Sequence, residues 1–272
     1  RAPVSEPIYR FDDMLPLGAR VHKNAANIAD LPGGYIMLIL GLNKTTLLDY
    51  PGHVAATIFT GGCNFRCPYC HNRDIVLRSR SLAPLAEEEI FSFLEKRRHV
   101  LTGVCISGGE PTLHPDLPDL IARIRRLGYL VKLDTNGTNP QMLRDLIQAG
   151  LIDHCAMDIK NSPEKYAVTT GLDAAYARPC LAAVRDSIEL LMHQNLISYE
   201  FRTTIVKELH DEADMRAVSQ WIAGAEAYFL QSYTDSAGVL RDGFHAHTEA
   251  MLHAFAALCR RFVPSTALRG VS

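Results

Sequence analysis

The residues able to do chemistry begin with three cysteines. Cys63, Cys67 and Cys70 lie in the stretch FTGGCNFRCPYCHN with the spacing C-x3-C-x2-C. Thiolates packed this tightly are soft donors, suited to zinc or to an iron–sulfur cluster. A structural zinc takes a tetrahedral set of four protein ligands, and this stretch offers three. His71 adjoins Cys70, and neighbouring side chains rarely converge on one small ion, so it reads as packing or as support behind the ligands. Cys105 or Cys155 stay open as a distant fourth ligand. Asn64, Arg66 and Pro68 make the loop polar, which argues against three separate core cysteines. The spacing favours an iron–sulfur cluster over zinc. Three thiolates on a four-iron cluster leave one iron without a protein ligand, and that opening can take substrate or cofactor, as the open position of a catalytic zinc does.

Other polar groups recur at the ends of apolar runs. SGGEP (Ser107–Pro111) follows GVCI; its glycines permit close backbone approach, and exposed carbonyls with a carboxylate suit an ammonium. On residues alone it is equally a Gly-rich turn with a capping Glu110. LDTNG, with Asp134 and Thr135, is also readable as a strand running into an Asx turn. MDIK, with Asp158 and Lys160, is also readable as an ion pair. Cys105, Cys155, Cys180 and Cys259 lie inside strand or helix patterns and read as small buried apolar residues.

The elements that must position these groups alternate along the chain. Strands are expected at 53–62, 103–109, 129–137, 154–160, 198–206 and 227–233, after a first strand opened by Met37. Helices are expected at 84–98, 115–128, 140–150, 174–194, 212–225 and about 247–262, with Pro and acids at their starts and bases or Gly at their ends. Repeated βα units imply a parallel sheet covered by helices. Cys63, Glu110, Asp134 and Asp158 all fall at or just past C-terminal strand ends, where such folds place their chemistry. The expected fold is α/β, a partial parallel barrel of six βα units. Residues 1–36 are turn-rich and aperiodic and read as an N-terminal extension outside a core domain of residues 37–272.

Bulk properties set limits. The chain has 272 residues, 47% hydrophobic and 21% charged, with a net charge of −2, so no charge excess argues for nucleic acid or an anionic membrane as partner. The longest apolar run, YIMLILGL, is too short to span a bilayer. It also lacks the flanks of a signal peptide. Seven cysteines, three of them in one loop, suit a reducing compartment and a metal site, and the expected location is cytoplasmic.

On these residues the chain resembles the radical S-adenosylmethionine (SAM) enzymes. CNFRCPYC, with Tyr69 before the third cysteine, looks like their signature. GLNKTTLLDYPGHVAATIFTGGCNFRCPYCHN, ISGGEPTL, LDTNGTNP, AMDIK and YEFRTTIV together resemble the activating proteins of glycyl radical enzymes, most closely that of anaerobic ribonucleoside-triphosphate reductase. The resemblance runs from about Leu38 to Gln231 and then thins. It implies a radical SAM barrel in which Cys63, Cys67 and Cys70 hold a [4Fe–4S] cluster. It gives Gly108, Gly109 and Glu110 the methionine amino group of SAM. Asp134, Thr135, Asp158 and Lys160 match positions around the methionine carboxylate, a nearby monovalent cation and the ribose. Asn72 matches a SAM-contacting position, Tyr69 one whose backbone faces the adenine, and Arg202 a further contact.

The implied chemistry is reductive cleavage of SAM and abstraction of hydrogen from a backbone glycine of a partner enzyme, with no side chain acting as acid or base. A flavodoxin- or ferredoxin-like protein would supply the electron. No second C-x2-C-x2-C occurs, so one cluster is expected. The alternatives are an activator of pyruvate formate-lyase type, a radical SAM enzyme acting on a small molecule and, in a different class, an electron-transfer or zinc-binding module.

Overall fold

The computed structural model describes residues 37–236 and 238–271; the expected extension at 1–36 lies outside them. The architecture is an eight-stranded sheet in sequential order, β1 to β8. Strand β1 (Ile39–Thr46) runs antiparallel to β2 (Ala55–Thr60). From β2 onward every pairing is parallel, through β3 (Gly103–Gly108), β4 (Leu130–Thr135), β5 (His154–Asp158), β6 (Ser198–Ile205), β7 (Tyr228–Ser232) and β8 (Ala267–Arg269). β1 and β8 are the two edges, so the barrel is partial, as expected. The antiparallel β1 and the terminal β8 extend it beyond the six expected βα units.

Helices fill the crossovers: α1 (Arg73–Leu77), α2 (Glu87–Lys96), α3 (Leu117–Arg126), α4 (Pro140–Gln148), α5 (Tyr166–Thr170), α6 (Ala174–His193), α7 (Glu212–Trp221) and α8 (Glu249–Cys259). Their starts have local causes. Asn139 accepts a hydrogen bond from the Met142 amide ahead of Pro140 in α4. Asp173 accepts from the Ala175 and Tyr176 amides of α6. Asp211 and Asp214 form a reciprocal capping box on α7. Among the described residues no helix is long and apolar enough to cross a membrane.

The strands divide their residues between two environments. One face carries Ile58, Val104, Ile106, Val131, Leu133, Cys155, Met157, Phe201, Tyr228 and Leu230, all buried in the core against α2, α3, α4, α6, α7 and α8. The alternate positions face the barrel interior, and on β4 to β6 several are polar: Lys132 and Asp134 on β4, Asp158 on β5, Glu200, Arg202 and Thr204 on β6. Parallel register aligns Asp158 with Arg202 and Cys105 with Lys132. The interior is therefore charged near its C-terminal rim, where the site lies.

Candidate active site at the C-terminal ends of the strands

The cysteine loop leaves β2 and is held from several sides. The Arg66 guanidinium donates to the carbonyls of Cys63 at 2.6 Å and Phe65 at 2.7 Å. The Arg66 amide donates to the Thr170 carbonyl at the end of α5, 2.8 Å away. A turn from Cys67 to Cys70 is closed by the Cys70 amide on the Cys67 carbonyl. The weakly matching segment after Gln231 folds back onto this loop, the Leu240 amide donating to the Cys70 carbonyl and that of Arg241 to the Pro68 carbonyl. His71 stacks on Tyr233, reaches the Thr234 carbonyl at 2.5 Å and also lines the cavity that the three cysteines border.

The Gly-Gly-Glu turn that ends β3 is pressed against the start of the cysteine loop. The Gly109 amide donates to Thr60, the Glu110 amide to Gly62, and the Asn72 amide group to the Gly108 carbonyl at 2.8 Å. Gly108 has φ +120°, and a Cβ there would meet the Thr60 backbone at 2.3 Å. One on Gly109 would lie 1.8 Å from the Gly62 carbonyl oxygen. Only glycine lets the two segments approach this closely.

All thirteen residues expected at the site line a single cavity of about 230 Å³: Cys63, Cys67, Tyr69, Cys70, Asn72, Gly108, Gly109, Glu110, Asp134, Thr135, Asp158, Lys160 and Arg202. Ser107, Asn136 and Thr204 also line it and were not foreseen. Thr204 was legible as the residue two beyond Arg202 on the same strand face. Cys105 and Cys155 are fully buried and do not line the cavity; Cys155 joins the apolar core, while Cys105 faces the Lys132 amine at 3.9 Å.

Burial pushes all three cavity thiols up, that of Cys67 to about 12. Glu110 is fully buried and its carboxylate is already engaged. It accepts from the Thr112 amide and hydroxyl, the Thr135 hydroxyl at 2.8 Å and the Asn136 amide at 2.6 Å. Desolvation still pushes its pKa up, against those hydrogen bonds. The capping role open in the sequence is therefore realised. The Asx turn is present too, Asn136 Oδ1 accepting from the Thr138 amide, as is the Asp158–Lys160 ion pair at 3.0 Å.

Across the rim, charges alternate. Arg202 reaches Asp158 at 2.9 Å and Asp134 at 3.4 Å; Lys132 pairs with Asp134 from the other side. Burial would raise Asp158, but Arg202 and then Lys160 outweigh it and hold its carboxyl down at about 2. Asp134 is lowered in the same way, by Arg202 and then Lys132 against burial. The position between the two acids is filled by a guanidinium, so the residues do not fit a monovalent cation bridging them.

The donor set does fit an iron–sulfur cluster. The three thiols of Cys63, Cys67 and Cys70 line one cavity, and the loop offers no fourth protein ligand of the kind a structural zinc takes. A four-iron cluster instead takes each thiolate on a separate iron. Tyr69 lines the same cavity, and its buried hydroxyl has no hydrogen-bond partner among the described residues.

Comparison with known proteins agrees. The model of the radical SAM superfamily matches residues 57–215, more than half of the chain. A protein of Methanocaldococcus jannaschii named as a glycyl-radical enzyme activating enzyme is 34% identical over 72% of this chain and 80% of its own length. A second protein of that organism with the same designation is 25% identical over 61% of this chain and 62% of its own length. The crystal structure of Streptococcus suis SuiB bound to SAM superposes with a TM-score of 0.57 at 12% identity, covering 77% of this chain and 48% of that one; at that identity it bears on the fold alone. With the cysteine loop, the Gly-Gly-Glu turn and the strand-end charges in one cavity, the chain belongs to the radical SAM superfamily, enzymes whose cofactors are a [4Fe–4S] cluster and S-adenosylmethionine.

Proposed function

We propose that the protein is a radical SAM activase that generates a glycyl radical on a partner enzyme, and that the partner is anaerobic ribonucleoside-triphosphate reductase. The observation that carries this reading is the convergence of all thirteen expected residues on one cavity at the C-terminal rim of the sheet. The relatives named for glycyl-radical enzyme activation support the reaction; the motif wording supports the choice of partner.

Cys63, Cys67 and Cys70 would hold the cluster. Carbonyls of Gly108 and Gly109, with Glu110 behind them, would receive the methionine ammonium. Arg202 and Lys160 would face its carboxylate, held by Asp134 and Asp158, while Thr135 holds Glu110. Asn72 and the Tyr69 backbone would border the nucleoside. When bound, the cluster and SAM supply a reductively generated carbon radical able to take hydrogen from a glycine Cα. The chain's own part is to bind, orient and exclude water. Such a radical does not survive diffusion, so the target glycine must come to van der Waals contact on a loop entering the barrel mouth. A flavodoxin- or ferredoxin-like donor would supply the electron, and the cysteine content fits a cytoplasmic setting.

The test mixes the protein with the reductase, SAM and a reductant without oxygen. A glycyl radical doublet in the electron paramagnetic resonance spectrum is expected, and Ala in place of the target glycine should abolish it. A doublet only with a formate-lyase type partner would move the assignment to that enzyme. Vigorous SAM cleavage with no radical on any glycyl radical enzyme would point to a small-molecule substrate.

A further inference from the structure

At the C-terminal rim of β4, β5 and β6 a chain of ion pairs links Lys132, Asp134, Arg202, Asp158 and Lys160, while Glu200, deeper on β6, pairs with Arg269. Lys132 stands out. Its side chain is 1% exposed, it does not line the cavity, and it lies two residues before Asp134 on the same strand face. A buried ammonium is costly unless it is paired, and here its partners are Asp134 and, at 3.9 Å, the Cys105 sulfur. A Leu or Met would fill the position without that cost, so Lys132 is explained by what it does for Asp134. That carboxylate meets Lys132 on one oxygen and Arg202 on the other. Asp158 likewise meets Arg202 and Lys160. Both acids are thus neutralised by covalently attached cations, and Arg202 occupies the place a bridging ion would need.

We propose that Lys132 and Arg202 form a built-in counter-cation for Asp134 and Asp158, so that the ligand site works without bound sodium or potassium. Lys132 is a positioning residue: it acts through Asp134 and touches no ligand. The inference rests on the SAM reading for its binding consequence only; the charge balance belongs to the protein alone.

The test compares sodium, potassium and choline chloride at equal ionic strength, using anaerobically reconstituted protein. The wild-type unfolding midpoint should be the same in all three. Lys132→Gln opens a vacancy beside Asp134, so its midpoint should rise saturably by about 2–4 °C in sodium or potassium over choline. Lys132→Arg should behave like the wild type. SAM binding by equilibrium dialysis should follow: about tenfold weaker for Lys132→Gln in choline and recovered in the alkali salts. A saturable preference of the wild type for sodium or potassium would overturn the proposal, and this comparison decides the matter even if Lys132→Gln does not fold. Equal destabilisation of Lys132→Gln in every salt would also overturn it, leaving Lys132 a packing residue. The expected midpoints with no SAM binding by any protein would uphold the counter-cation and sink the SAM reading instead.

Discussion

A buried thiol has no reason to ionise unless something takes the place of its proton. Cys63, Cys67 and Cys70 are pushed up by burial, so metal loading must release protons and the bond to iron must compensate. Replacing any of the three by Ala should abolish iron incorporation after anaerobic reconstitution. Ala at Cys105, Cys155, Cys180 or Cys259 should leave iron content intact, since none of these lines the cavity; loss of iron in one of them would supply the missing fourth ligand and close the open position. Asp158 carries a pH signature. Its folded pKa, about 2, lies below the ordinary 3.8 because Arg202 and Lys160 overcome burial. The stabilisation is therefore present above pH ~4 and lost as pH falls through ~2. Its share is about 1–2 kcal/mol, discounted for partial exposure. Asp158→Asn should remove that much of the acid-induced loss of unfolding free energy; an unchanged acid limb would refute it.

At the scale of elements, the contact between the Gly-Gly-Glu turn and the start of the cysteine loop decides whether cluster and ligand groups face one cavity. Gly109→Ala drives a methyl into the Gly62 carbonyl, backbone that cannot rotate away. A strain of about 1–3 kcal/mol is expected, relieved by moving the loop that carries Cys63. Iron content should fall while the far-ultraviolet circular dichroism stays normal. Gly150→Ala makes the control. It sits after α4 with φ +62° and nothing within 4 Å of an added Cβ, so it should cost about 1 kcal/mol of stability and no iron. Equal iron loss in both variants would show that general destabilisation, not the turn, governs cluster retention.

For the whole molecule, the described residues form one sheet with its helices and its own core, and Met37 is already part of it. Met37 is 2% exposed, and its amide donates to Asp116 Oδ2 at 2.5 Å. In a chain beginning at Met37 that nitrogen becomes an ammonium beside a carboxylate, a stronger charge-assisted contact. We propose that residues 1–36 are dispensable: such a chain should fold, take up iron and cleave SAM, and its unfolding midpoint should not fall below that of the full chain. Insolubility or loss of iron would show that the omitted residues support the core.

The sequence by itself determined the order of the βα units and singled out the residues that the fold gathers on one cavity. Continuous apolar runs mark strands buried between helices and interior, polar residues interrupt them at their C-terminal ends, and three thiols in eight residues have little other use. Short elements escaped it. Helices α1 and α5 have five residues each and β8 has three, too few to show a period, and nothing local tells that β1 runs against its neighbour. Glu110 could be read either as a ligand group or as a cap, and the fold engages it with Thr112, Thr135 and Asn136. Lys132 passed unnoticed because its partner is defined only once alternation places both side chains inside the barrel. Asp158 and Arg202 are 44 residues apart and become neighbours through the register of β5 on β6. Local pattern decides which groups a strand presents; the pairing of strands, which no local pattern encodes, decides which charges meet.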